Sequence, residues 1–297
     1  MVALIGFGIM KLVCRSFATT NVNLARFQSR IPSELFNVGR FVDVQPEYMP
    51  GQMFLHKIFA YRGIILCSID CKVITKAKSK EALSTTEIVP YYQVLVHKDD
   101  WDHMGFPFDM TSYLGQASPG EERMLNVLYG MDCVCHDEIL PYRLSEGHKQ
   151  PSFVHDYFDR LFKPSDSDDL DFELTHELSH PSCWLTPQTV YREISKNVEV
   201  QVMTYYLGTN VHKNQLKHCW RYVTRLQNLD SQRSIILRER MVKVYSLNNL
   251  SHAAGNSVSG DQPYLTQKHP AYQFSSHIHL LQGKGAHMWS VFLFTIH

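Results

Sequence analysis

Hydrophobic positions in this chain recur mostly at the period of strands. Residues 51–75 read as two short strands. Met53-Phe54-Leu55 and Ile58-Phe59 lead to a turn at Tyr61-Arg62-Gly63, and Ile64-Ile65-Leu66 follows as an apolar run. Residues 76–87 are polar and read as a loop. Tyr91-Tyr92-Gln93-Val94-Leu95-Val96 is aromatic and β-branched, with Pro90 marking its start. Residues 97–122 hold four Asp, three Gly and two Pro and read as a long loop. A strand near Val127-Leu128-Tyr129, turning into Ile139-Leu140-Pro141-Tyr142, is expected to close a small β-barrel. Phe153, Tyr157, Phe158, Leu161 and Phe162 recur at helical spacing, which predicts an amphipathic helix over 151–163, stopped by Pro164. Asp166-Ser167-Asp168-Asp169 reads as a solvated linker. From residue 190 the pattern is again all β. Val198 to Val202 alternates strictly, and Trp220 to Leu226 alternates before a turn at Asn228-Leu229-Asp230-Ser231. Ile235 to Leu237, Val242 to Ser246, Phe274, His277 to Leu280 and Met288 to Phe294 complete a set that predicts a β-sandwich.

The amino-terminal stretch breaks this pattern. Its first ten residues are apolar, Lys11, Arg15, Arg26 and Arg30 follow, and the first acid is Glu34. Lys11 and Arg15, like Arg26 and Arg30, are four apart and would share one face of a helix. Ser16, Thr19, Thr20 and Ser29 are interspersed. Basic, hydroxylated and acid-poor is the character of a mitochondrial transit peptide. The basic residues that should precede the apolar run of a secretory signal are missing. Residues 1–44 are therefore expected to be a leader outside the fold. The expected domains are 45–145 (barrel), 146–180 (helix and acidic connector) and 181–297 (sandwich).

Composition narrows the function classes. With 297 residues, 44% apolar and 20% charged, the chain is not disordered, collagenous or coiled-coil, and its length suggests about two domains. No run of about 18 apolar residues occurs, so no ordinary transmembrane helix is expected. Lys plus Arg and Asp plus Glu are 29 each, yet the charge is unevenly spread. Residues 1–45 carry net +3, 46–145 net −4, 146–180 net −6 and 181–297 net +7. A basic C-terminal part favours a polyanionic partner. Seven cysteines, odd in number and irregularly spaced, fit a reducing compartment rather than a disulfide framework.

Four constellations bear on chemistry. His176-Glu177-Leu178-Ser179-His180 matches H-E-x-x-H, which on a helix binds zinc through the two His with the Glu as general base. Pro181 disfavours helical geometry at His180, and no third ligand stands at the extended-motif spacing, so a zinc hydrolase is a minor alternative. Cys67 and Cys71, with Cys133, Cys135 and His136, do not have common zinc spacings and read as small buried side chains. Gly255-Asn256-Ser257-Val258-Ser259-Gly260 matches neither a dinucleotide loop nor a nucleophile elbow and reads as a turn between strands. Arg221, Arg225, Arg233, Arg238, Arg240 and Lys243 interleave with Trp220, Tyr222 and Tyr245. At period two, Trp220 and Tyr222 point inward and Arg221 outward. An exposed row of basic side chains, with Arg221, Arg225, Arg238, Arg240 and Lys243 as candidate DNA or partner contacts, is therefore expected. No catalytic set, metal site or cofactor is expected.

Several stretches also resemble known families. Gly51-Gln52-Met53-Phe54-Leu55-His56, Tyr61-Arg62-Gly63, the Tyr-rich strand at 91–96 and Gly130-Met131-Asp132 through Tyr142 resemble the YccV-like domain of hemimethylated-DNA-binding (HspQ) proteins. Trp220-Arg221-Tyr222, Leu226 to Ser231, Leu237-Arg238-Glu239-Arg240, Pro270 to His277 and His287-Met288-Trp289 resemble an ApaG domain. In this order the two are similar to the polymerase delta-interacting protein 2 family. The resemblance implies an SH3-like β-barrel joined to a fibronectin/Ig-like sandwich. It implies a non-enzymatic adaptor of DNA replication and repair that binds DNA polymerase delta and the sliding clamp, with mitochondrial and nuclear pools. Direct DNA binding through the basic C-terminal domain is the alternative. The family's glycine-rich loop is altered at 255–263, its Arg-His-Trp is reduced to Arg240-Met241-Val242, and the sandwich is expected to lack its usual last strand, with an open edge and lowered stability.

Overall fold

A computed structural model describes residues 5–7, 11–15, 39–76, 84–106, 108–113, 125–144, 153–166, 171–175, 185–212, 214–246, 249–257 and 262–296. In chain order its strands are β1 (Ile5–Phe7), β2 (Lys11–Arg15), β3 (Arg40–Phe41), β4 (Met53–His56), β5 (Arg62–Lys76), β6 (Thr85–Val96), β7 (Asp109–Tyr113), β8 (Leu125–Tyr129), β9 (Met131–Cys135) and β10 (Ile139–Arg143). These are followed by β11 (Phe162–Pro164), β12 (Phe172–Leu174), β13 (Thr189–Ser195), β14 (Val198–His212), β15 (Gln215–Asn228), β16 (Ile235–Ser246), β17 (Asn249–Ser257), β18 (Tyr264–Leu265), β19 (Ala271–Leu280) and β20 (Ala286–Ile296). One α-helical turn, α1, spans Phe158–Leu161. The chain divides into two compact units. One comprises Gln28–Cys71 and Ile88–Thr186, the other Met1–Phe27, Lys72–Glu87 and Pro187–His297.

In the first unit the strands pair in the order β3-β10-β4-β5-β6-β9. The two ends of this strip are tied by chain: the short 3-10 turn His136–Glu138 links β9 to β10. Flat, β9 and β10 would lie about 19 Å apart at ~4.8 Å per strand, beyond the ~14 Å that so short a link can span. The strip must therefore curl. It is nevertheless not a closed barrel, because no ladder joins β9 to β10 among the described residues. The expected closing strand at Val127–Tyr129 instead pairs with β7 in a separate two-stranded ladder, and β9 takes the place beside β6. The turn expected at Tyr61-Arg62-Gly63 lies earlier, at Lys57–Ala60, where Ala60 adopts φ 55°. Arg62 already belongs to the fifteen-residue β5. Likewise β6 begins at Thr85, so Pro90 stands inside the strand rather than at its start.

The aromatic spacing at 151–163 yields only the four-residue α1. Its rings pack rather than line a helix. Phe153, Phe158, Leu161, Phe162 and Phe172 are all buried, and Phe158 sits 5.3, 5.5 and 5.0 Å from the rings of Phe153, Phe162 and Phe172. Aromatic residues lose rotamer freedom in a helix, and tertiary burial outweighs the weak helical preference. This segment is anchored to its unit at two backbone sites. His155 Nε2 lies 3.1 Å from the Gly130 carbonyl oxygen, and any Cβ at Gly51 would overlap the Phe172 carbonyl.

The second unit is a sandwich. One sheet contains β13, β14, β15 and β19, with Val73–Lys76 of β5 parallel to β13. The other contains β1 and β2, β20, β16, β17 and β18. Alternate residues from both sheets form one core, among them Val200, Val202, Trp220, Tyr222, Leu237, Val244, Ile278, Met288, Phe292 and Phe294. Each such buried large side chain contributes about 1.5–3 kcal/mol. The two runs read as Ile235–Leu237 and Val242–Ser246 are one strand, bulged between Leu237 and Glu239. The outer edge of β20 is paired: Ile5–Phe7 lies parallel to Ala286–Met288, and Lys11–Arg15 to Val291–Thr295. The stretch read as a leader thus supplies strands to the edge expected to be open.

Candidate functional site

The five candidate basic residues occupy different environments. Arg221 and Arg225 stand on β15, an inner strand between β14 and β19. As expected, Trp220 and Tyr222 face the intersheet core. The other face, however, is covered. Arg221 is only 3% exposed and Arg225 only 2%, so the exposed arginine row does not form on β15. Val223 between the two arginines, and Met203 and Tyr205 opposite on β14, are buried on the same face. Arg225 instead joins a polar row across four strands. Arg192, Gln201, Arg225 and Gln273 are directly opposed on β13, β14, β15 and β19. Within the row, Arg192 Nη2 donates to Gln201 Oε1 at 3.3 Å and Arg225 Nε to Gln273 Oε1 at 3.1 Å. Hydrogen bonds of this kind are what a guanidinium needs to be buried.

Arg238, Arg240 and Lys243 lie on β16, in the other sheet. Arg238 is the bulged residue, and the bulge re-aims its side chain. Its Nε donates to Thr295 Oγ1 at 3.0 Å, and its Nη1 donates to Gln262 Oε1. The Arg240 guanidinium lies 4.4 Å from the centre of the Phe274 ring, and Lys243 Nζ lies 5.6 Å from that of Trp289. Both are half-buried cation–π pairs in which the stem packs and the charge stays near water. The structure therefore places the five residues on two sheets rather than in one row.

The other constellations resolve differently. Residues 176–184, which hold the H-E-x-x-H match, lie outside the described residues. Cys67, Cys71, Cys133 and Cys135 are buried on β5 and β9, and burial pushes the Cys67 and Cys71 thiols up to about 12. Among the described residues no group of three or more His, Cys, Asp or Glu side chains is placed to hold a metal ion. Gly255, Asn256 and Ser257 pair with Met241, Arg240 and Glu239 as part of β17, and residues 258–261 lie outside the described residues.

Three polar groupings were not visible in the sequence. Buried Asp100, in the 3-10 helix Lys98–His103, accepts from Arg62 N, Nε and Nη2 at 2.8, 3.1 and 2.8 Å. Arg62 Nη2 also donates to His97 Nδ1 at 3.2 Å. Burial works against the Arg62 charge, but the Asp100 bonds outweigh it and hold the guanidinium above its usual range. Tyr48 stacks on His136 at 4.8 Å, and the Tyr92 hydroxyl lies 3.2 Å from His136 Nδ1. Burial raises both tyrosines. Finally, Cys219 Sγ lies 3.1 Å from His279 Nδ1. The partners in each grouping are far apart in sequence, and only strand register or loop packing brings them together.

Two family models match separate parts of the chain. The family model "Hemimethylated DNA-binding protein YccV like" matches residues 46–118, and the ApaG domain model matches residues 208–295. The human and mouse proteins called polymerase delta-interacting protein 2 are each 32% identical to this chain over 268 residues, covering 84% of it and 71% of their own length. A solved structural-genomics target aligns with 30% of this chain and 66% of its own at 22% identity, with a TM-score of 0.25. Identity at this level across both modules, in the same chain, places the protein: it belongs to the polymerase delta-interacting protein 2 family.

Proposed function

We propose that the protein is a non-enzymatic adaptor that binds proteins of DNA replication and repair, with DNA polymerase delta and the sliding clamp as partners. The observation that carries this reading is family membership across 84% of the chain, with relatives named for interaction with polymerase delta. The YccV-like model that matches residues 46–118 is described as that of a hemimethylated-DNA-binding protein, which supports a binding rather than a catalytic role. The leader-like composition of the amino-terminal stretch supports a mitochondrial matrix pool in which that stretch is retained uncleaved, since Ile5–Phe7 and Lys11–Arg15 pair with β20, and the family resemblance adds a nuclear pool. Affinity capture with the full chain, from mitochondrial and nuclear extracts, tests the reading. Enrichment of polymerase delta, the clamp or a mitochondrial DNA-maintenance protein is expected. Recovery of none of these ends it, and a fluorescent fusion absent from mitochondria ends the matrix assignment.

A second reading, direct DNA binding, is favoured by the description of the YccV-like model and by the net +7 of residues 181–297. It predicts affinity for hemimethylated, unmethylated or single-stranded DNA that falls steeply with salt. A flat salt response, or no binding at low salt, refutes it. The variants to test are Arg238→Gln, Arg240→Gln and Lys243→Gln. Substituting buried Arg221 or Arg225 would report on folding instead.

A further inference from the structure

Cys219 differs from the cysteines of β5 and β9 in two ways. Cys67, Cys71, Cys133 and Cys135 are buried, whereas Cys219 is partly exposed. It also has an imidazole beside it. Cys219 on β15 and His279 on β19 are directly opposed in register, and Sγ lies 3.1 Å from Nδ1. His279 itself is exposed. On the other flank the register partner of Cys219 is Gly208, at the bulge of β14 with φ 106°. A Cβ at Gly208 would meet no atom within 4 Å, so open space lies beside this position. The charges on this face are known. Along β15 they are Lys217 and Arg221, and along β19 His277 and His279; the facing positions of β14 are Tyr205, Gly208 and Asn210. The described positions of these three strands that face the pair therefore carry basic groups and no carboxylate.

We propose that Cys219 and His279 form a thiol–imidazole pair that undergoes thiol–disulfide exchange with small anionic disulfides. His279 Nδ1 takes the thiol proton, and the Cys219 thiolate attacks one sulfur of the disulfide. The S–S bond of the reagent breaks and a Cys219–S–S–R bond forms. The other half leaves as a thiolate, and the imidazolium gives up its proton, to that thiolate when it is an alkyl one and to water when it is an acidic aryl one. Cys219 is oxidised and the leaving half is reduced, with no other reactant needed. Burial pushes the Cys219 thiol up, and Lys217 acts in the opposite direction. Proton transfer to His279, rather than ionisation into water, is thus the route to the nucleophile. Lys217 supplies the preference for an anionic reagent. The adduct carries negative charge onto a basic strand face.

The test is site-resolved labelling of the full chain with dithiobis-nitrobenzoate, an anionic disulfide, read by mass spectrometry of the Cys219 peptide. A free thiol is only ~3% thiolate at pH 7, so a proton acceptor held against the sulfur can raise the reactive fraction roughly tenfold. Labelling of Cys219 about tenfold faster than a free cysteine peptide is therefore expected at pH 7. His279→Gln should remove the acceleration, and Lys217→Gln should slow the anionic reagent but not neutral dithiodipyridine. Cys219 labelling no faster than the peptide overturns the proposal. So does a His279→Gln variant with an unchanged rate and an unchanged melting curve.

Discussion

The Arg62–Asp100 pair gives the sharpest test of what holds the first unit together. Asp100 is 1% exposed and the Arg62 side chain 17%. Asp100→Ala removes the acceptor of three hydrogen bonds, leaving a mostly buried guanidinium and the Arg62 backbone amide without it. Breaking a buried pair from one side costs about 3–5 kcal/mol. Replacing both partners, in Arg62→Met/Asp100→Leu, removes both charges and leaves only the Arg62 amide to be compensated, at about 1–3 kcal/mol. The double variant should therefore be more stable than Asp100→Ala alone. Native-state hydrogen exchange read on peptides covering 62–76 and 98–103 measures this locally. At ~1.4 kcal/mol per factor of ten, Asp100→Ala should cost roughly two to three and a half orders of magnitude in protection. A loss below about 1 kcal/mol, or a double variant less stable than the single one, refutes the reasoning.

Three further outcomes are expected. Gly130→Ala should lose about 2–4 kcal/mol in urea unfolding, because φ is 76° and the added Cβ would sit 1.9 Å from the Trp101 ring and 2.6 Å from His155 Nε2; a loss under ~0.5 kcal/mol contradicts this contact. Burial lowers the His155 pKa below 6.5, so the fold holds the neutral form, whose Nδ1 accepts from Tyr157 N. The unfolded chain then binds the extra proton, so stability is present above pH 6.5 and is lost as pH falls below it, by at most ~1.4 kcal/mol per pH unit. A His155→Phe variant that keeps the wild-type slope between pH 6.5 and 5 refutes this. Deleting residues 1–15 should expose the outer edge of β20 and produce concentration-dependent oligomers in size-exclusion chromatography with light scattering; a monomer at every concentration refutes a covering role for β1 and β2.

What the sequence alone determined is local. Alternation in Val198–Val202 and Trp220–Leu226 placed both strands and their core faces, because the pleat gives every strand a period of two. The Tyr-rich run at 91–96 marked the buried half of β6 by its aromatic and β-branched composition. Tertiary structure decided what covers the second face of a strand. Arg221 and Arg225 alternate out of the intersheet core as their spacing requires, yet they are buried, because the second face of β15 is covered as well. The aromatic periodicity at 153–162 matched a helix only because rings that pack on one another can occur at any spacing; α1 is one turn long. Strand register also set every polar grouping of interest. Cys219 meets His279, and Arg225 meets Gln201 and Gln273, through ladders that join residues far apart in sequence. A single chain's pattern fixes which face a residue takes, but not which strand lies beside it, since that choice depends on the burial and hydrogen bonding of the whole sheet.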